Sequence, residues 1–158
     1  MDIREDDLTG DAIAALLREH VEEMNAITPK ESVHALDLDA LRSPDITFWS
    51  VWDGDALVGC GALRALDPTH GEIKSMRTAT AHRGRGVASE ILEHITREAE
   101  RRGYERLSLE TGAFPAFAPA RALYERYGFD YCGPFASYAH DPNTVFMTRA
   151  LQGEARAL

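Results

Sequence analysis

Ile13, Leu16, Leu17, Val21 and Met24 fall three or four residues apart. That is the spacing of one helical face, and it predicts a helix that Asp11 can cap and Pro29 closes, after a short strand over residues 2–5. The next stretch, "ESVHALDLDALRSPD", breaks the pattern and allows one helical turn. In "ITFWSVWDGDALVGCGALRAL" the apolar residues are β-rich and the run divides at Asp53-Gly54, a dipeptide suited to a tight hairpin. "GEIKSMRTAT" reads as a further strand, although Glu72, Lys74, Ser75 and Arg77 are polar for a central element. From Gly86 the helical period returns, with Val87, Ile91, Leu92, Ile95 and Ala99 on one face and Gly103 as the stop. "YERLSLETG" follows as a strand. "PARALYERYGF" follows as a helix with Ala122, Leu123 and Tyr127 on its apolar side and Gly128 at its end, and "NTVFMTRAL" is the last strand. Antiparallel strands followed by strand–helix alternation predict an α/β (α+β) fold, a mixed, mostly antiparallel central sheet with helices on both faces.

With 158 residues the chain suits one domain spanning 1–158. Hydrophobic residues make up 44% and charged residues 27%, enough apolar material for a core. No run approaches the ~18 apolar residues of a membrane span, and the acidic start "MDIREDDLTG" is unlike a signal peptide, so a cytoplasmic protein is expected with no membrane partner. Cys60 and Cys132, the only cysteines, are too few for a disulfide scaffold and lack neighbours at metal-ligand spacing, so no metal is expected. A net charge of -9 argues against nucleic acid, which needs a basic face. The charge is uneven: residues 1–70 carry 5 basic and 15 acidic side chains, residues 71–158 carry 12 and 11. An anionic ligand held by the second half, with a cationic one admitted beside the first, fits that division.

The segment "HRGRGVASEIL" sets two glycines and two arginines at the mouth of a helix. The first turn of a helix leaves about four N–H groups unpaired at the positive end of the macrodipole, a ready anion site. Gly84 and Gly86 let the backbone approach phosphate oxygens, and Arg83 and Arg85 add charge. A P-loop is excluded because no G-x-x-x-x-G-K-[ST] run exists, and a dinucleotide fingerprint fits poorly because Ser89 stands where a third glycine or alanine belongs.

"RGRGVA", Arg83 to Ala88, resembles the Arg/Gln-x-x-Gly-x-Gly/Ala signature of the Gcn5-related N-acetyltransferase (GNAT) superfamily. "ALYERYGF", Ala122 to Phe129, resembles its Leu-Tyr-Glu-x-x-Gly-Phe helix. The similarity covers about residues 46–151 and extends more closely to small bacterial proteins described as acetyltransferases. It implies the GNAT fold, acetyl-coenzyme A (acetyl-CoA) as co-substrate, and an N-acetyltransferase that works by direct attack in a ternary complex. It also implies that Arg83, Gly84, Arg85, Gly86, Val87, Ala88 and Ser89 hold the pyrophosphate. Backbone groups of Met76, Arg77 and Thr78 would pair with the pantetheine arm. Many members dimerise, so a homodimer is an expectation of the same kind.

Acetyl transfer to an amine needs a deprotonated acceptor, a stabilised oxyanion and an acid for the departing thiolate. Tyr124, carried over from the helix motif, is the expected acid. For the base, Glu72 stands eleven residues before Arg83, as in the Gcn5-type enzymes. Glu110, on the next strand, stands near the position used by ribosomal-protein acetyltransferases, and the third alternative is no dedicated base. His34, His70 and His82 are bases by type, and His34 lies where the acceptor segment of the superfamily usually falls, as a substrate contact. A covalent route through Cys60 or Cys132 lacks a nearby activating group. Phe117 stands seven residues before Tyr124, where many members carry an Asn. The long, aromatic stretch "CGPFASYAHDPNTV" is expected to wall the acceptor pocket. The acceptor is expected to be a small or amino-acid-like amine. The rivals are a CoA-binding regulatory module without turnover and an interaction subunit.

Overall fold

The computed structural model describes residues 1–32 and 38–151. The strands are β1 (Asp2–Glu5), β2 (Ile46–Asp53), β3 (Ala56–Asp67), β4 (His70–Thr78), β5 (Arg106–Gly112), β6 (Asp130–Cys132) and β7 (Thr144–Ala150). The helices are α1 (Asp11–Ile27), α2 (Leu38–Leu41), α3 (Val87–Arg101) and α4 (Ala118–Arg126). The strands form one sheet in the order β1-β2-β3-β4-β5-β7-β6. Every neighbouring pair is antiparallel except β4–β5, whose connection carries α3. This is the mixed sheet expected from the sequence.

The alternation of each strand sends its apolar residues to two cores. Trp49, Leu63 and Ile73 pack with Val87, Ile91, Leu92 and Ile95 of α3 and with Leu123 and Tyr124 of α4. Phe48, Cys60 and Ala62 face the other way, onto Ile13, Leu16 and Leu17 of α1 and Leu41 of α2. The helices therefore cover both faces.

Two local expectations are corrected. The N-cap of α1 is Gly10, without a side-chain hydrogen bond, so Asp11 lies in the first turn and acts through its charge on the helix dipole. On α4 the buried residues are Leu123 and Tyr124, while Ala122 is exposed. The roll of this nine-residue helix is set by what precedes it. The Phe117 ring packs on Gly112 so closely that a Cβ there would lie 2.2 Å from it, and Arg121 Nη1 donates to the Gly112 and Phe114 carbonyls at 2.7 and 3.0 Å.

The feature that shapes the site lies in β4. Cys60 pairs with Arg77 and Ala62 with Lys74, so Gly61 alone opposes Ser75 and Met76: a β-bulge, with Ser75 at φ 55. Gly61 suits that place, since a Cβ would approach Met76 Sδ and Ile91 Cγ1 to 2.9 Å. Pairing of β4 with β5 ends at Ile73–Leu109, although β4 continues to Thr78 and β5 to Gly112. Beyond that point the two parallel strands part and leave a cleft.

Candidate active site

The cleft leads into a groove of about 410 Å³. Its floor is Met76, Arg77 and Thr78 of β4, and one wall is His20, Glu23 and Met24 of α1. The bend before α3 and the apolar side of α4, with Phe117, Leu123 and Tyr124, complete it. Arg83, Gly84, Gly86, Val87, Ala88 and Ser89 all line this groove. Arg85 does not; its guanidinium pairs with Asp53 at 2.6 Å and lies 2.6 Å from His82 Nδ1.

Gly84 and Gly86 adopt φ of 80 and 81, the left-handed region that favours glycine, and a Cβ at either would meet nothing within 4 Å. No side chain caps the start of α3, so its first-turn amides face open space at the positive end of the dipole. Arg83 Nη2 lies 3.2 Å from Glu23 Oε1. Arg77, its side chain only 6% exposed, is pinned by Glu19 at 2.5 Å and Glu23 at 2.8 Å. Burial acts to raise the Glu23 pKa, but the Arg77 and Arg83 guanidiniums hold its carboxyl below the usual range. The glycine-bend end of the groove is thus rich in cations already ordered by carboxylates.

Tyr124 sits on the α4 wall, 6% exposed, with its ring edge-on to Phe129. Burial pushes its phenol up, so it keeps its proton at neutral pH. The two candidate carboxylates differ in setting. Glu72, 1% exposed, lines neither the groove nor the cavity beside it; its Oε2 accepts from Tyr138 Oη at 2.5 Å and Lys74 Nζ at 3.3 Å. Glu110 lies where β4 and β5 part and lines a smaller cavity of about 70 Å³. That cavity shares His20 and Met24 with the groove, so the two spaces meet at α1.

The other sequence candidates fall outside this junction. His70 Nε2 is 2.7 Å from Ser108 Oγ, and burial lowers its pKa. Burial pushes the Cys60 thiol up to about 12 and raises Cys132 as well, so neither is a ready thiolate. His34 lies outside the described residues. The stretch before β7 packs as a wall. Phe135 and Tyr138 meet edge-to-face at 5.2 Å between ring centres and both rest on Phe146, Asn143 Nδ2 reaches Ser32 Oγ at 3.2 Å, and Thr144 lines the smaller cavity.

Sequence reasoning missed His20. It is the histidine at the junction of both spaces, held down at about 4 by burial and by the Arg77 charge, with Glu23 opposing. Its signal was faint: it sits one position beside the apolar stripe of α1, where a polar residue reads as solvated. Tyr138 was equally hidden, because its partner Glu72 is 66 residues away.

The family model described as the Acetyltransferase (GNAT) family matches residues 13–129. An N-acetyltransferase of Bacillus subtilis named YsnE, itself uncharacterized, is 60% identical over 96% of this chain and 100% of its own length. Its Escherichia coli counterpart YedL, also uncharacterized, is 50% identical over 94% of each chain. A protein of Azospirillum brasilense named IAA acetyltransferase is 38% identical over 89% of this chain and 92% of its own. Among solved structures, a protein of Klebsiella pneumoniae described as an acyl-CoA N-acyltransferase superposes with a TM-score of 0.78 at 26% identity, over 95% of this chain and 97% of that one. A GNAT acetyltransferase of Elizabethkingia anophelis with acetyl-CoA bound gives 0.67 at 15% identity, over 95% and 97%. By the matched family model and by relatives that cover nearly its whole length, the chain belongs to the GNAT acetyltransferase family and is an N-acetyltransferase.

Proposed function

We propose that residues 1–158 form a single domain that transfers acetyl from acetyl-CoA to the amine of a small molecule, by direct attack within a ternary complex. The observation that carries this reading is the continuous groove from the glycine bend to Tyr124, opened by the bulge at Ser75. Its residues fit the group: uncapped amides and Arg83 for the diphosphate, the edge of β4 at Met76–Thr78 that β5 leaves unpaired for an extended amide-bearing arm, and apolar Leu123 and Ala120 beside it. The related fold with acetyl-CoA bound supports that choice.

Acetyl-CoA supplies the acetyl group as a thioester. The backbone of β4 beside the bulge donates to the thioester oxygen, and Tyr124 gives its proton to the sulfur as the carbon–sulfur bond breaks. Glu110 accepts the proton that the amine nitrogen sheds as its bond to the acetyl carbon forms. We assign the base role to Glu110 rather than Glu72 because Glu110 lines the space that meets the groove, whereas Glu72 is enclosed by Tyr138 and Lys74. Neutral His20 stands between the two spaces as a hydrogen-bonding partner for the incoming amine.

A melting curve with acetyl-CoA and a free-thiol assay with a broad amine panel test this together. The reading requires a rise in melting temperature, up to about 2.7 kcal/mol of stabilisation at a hundredfold excess over Kd, and thiol release with at least one amine. A rise without thiol release above hydrolysis assigns the protein to the CoA-binding regulatory class instead.

A further inference from the structure

The smaller cavity is built for more than an amine. Lys74, Ser75, Glu110 and Thr144 line it from the sheet, His20 and Thr28 from α1 and its cap, and Ser32 from the turn that follows. The hydroxyl oxygens of Thr28 and Thr144 are buried and have no hydrogen-bond partner among the described residues, and those residues are 4% and 9% exposed. A buried hydroxyl without a partner is costly, so two lining one cavity point to a polar guest. Lys74, its side chain 8% exposed, donates to Tyr138 Oη at 2.8 Å and to Glu72 Oε2 at 3.3 Å. An ammonium has three N–H groups, so one is left without a partner among the described residues.

We infer that the acceptor is a zwitterion of the amino-acid type. Lys74, Thr28 and Thr144 read its carboxylate, and its ammonium lies toward Glu110 and His20. This rests on the transferase reading above and narrows it. The chemistry matches on both sides: a buried cation with two hydroxyl donors suits a carboxylate, and a carboxylate beside a neutral imidazole suits an ammonium that must lose a proton. The size matches too. At about 10–15 Å³ for each water-sized centre, a cavity of about 70 Å³ holds roughly the five heavy atoms of an amino-acid head group. Because His20 and Met24 border both spaces, an amine placed there faces the groove. Glu72 then has a role apart from proton transfer: its contact at 3.3 Å holds the Lys74 ammonium in place.

The test is steady-state thiol release with the twenty common L-amino acids, their carboxamides and their decarboxylated amines, on the wild-type protein and on Thr144→Val and Lys74→Met. The inference requires a free carboxylate to raise kcat/KM at least tenfold over the matched carboxamide for the best acceptor. It also requires Thr144→Val to raise the acceptor KM about tenfold while kcat at saturation moves less than threefold and the KM for acetyl-CoA is unchanged. Lys74→Met should erase the preference for the carboxylate. Because that variant can fail to fold, Thr144→Val carries the decision if it does. Carboxamides or simple amines used as well as amino acids, or an unchanged KM in Thr144→Val, overturn the inference and leave the transferase reading intact. Absence of thiol release with every compound overturns both.

Discussion

Glu72 offers the sharpest separation of a structural role from a catalytic one. It is 1% exposed, and it meets Lys74, whose side chain is 8% exposed, at 3.3 Å. Replacing Glu72 with Leu leaves the Lys74 ammonium buried beside only the Tyr138 hydroxyl. Breaking a buried pair from one side costs about 3–5 kcal/mol, and a domain of this size loses about 2–4 °C of Tm per kcal/mol. Glu72→Leu should therefore melt about 6–20 °C below the wild type. Adding Lys74→Met removes the orphaned charge, with the hydrogen bonds of Tyr138 to Lys74 and Glu72 lost at about 1–3 kcal/mol. The double variant should thus recover about half of the loss or more. Differential scanning calorimetry of the four proteins gives the coupling. Additive single effects would refute the buried pair. In parallel, Glu72→Gln keeps the shape and can still meet Tyr138. If Glu72 were the base, kcat would fall about 100-fold to 10,000-fold with Tm nearly unchanged, and Glu110→Gln would be mild. The opposite ranking is expected, and that catalytic pattern would refute the assignment to Glu110.

Tyr124→Phe should lower kcat about 10-fold to 1000-fold with the acetyl-CoA Kd nearly unchanged, checked by thiol release and calorimetric titration; equal kcat removes the acid role. Gly86→Val places a branched residue at φ 81, facing the open bend, and should weaken acetyl-CoA binding before it alters the acceptor KM, as titration will show. Gly112→Ala sets a methyl 2.2 Å from the Phe117 ring and should cost about 1–3 kcal/mol in chemical denaturation. His20 is held below its ordinary 6.5 at about 4, so the unfolded chain binds the extra proton between those values. Stability should accordingly fall as pH drops from 6.5 toward 4, and His20→Gln should flatten that part of the profile in a pH series of melts.

The elements were legible where local chemistry decides them. The α3 face from Val87 to Ala99 and the turn at Gly54 needed only periodicity and positive φ, and both stand as read. The bend from Arg83 to Gly86 was legible for the same reason, because a glycine turn at a helix start is built from contiguous residues. What depends on distant partners was not legible. Leu123 faces the core as read, but Tyr124 rather than Ala122 joins it because Phe117 and Arg121 lock α4 onto β5. The three-residue β6 has no pattern of its own and exists by pairing with β7.

The polarity of β4, anomalous for a central strand, has a single cause in the bulge. One extra residue at Ser75 brings Lys74 and Arg77, three positions apart, onto the same face of the sheet, opposite Ala62 and Cys60, and the pairing with β5 ends at Ile73 just before it. Upstream of the bulge, Glu72 and Lys74 lie on the α1 side of the sheet and neutralise each other against Tyr138. Downstream, the strand keeps β3 but has lost β5, so one edge of its backbone is open in the way the proposed pairing with an extended ligand needs, while Arg77 reaches Glu19 and Glu23 on α1. A central strand made apolar throughout would have buried both segments and closed the cleft. The same four polar residues that weaken β4 as a core strand thus open the groove, charge its rim and line the cavity beside it.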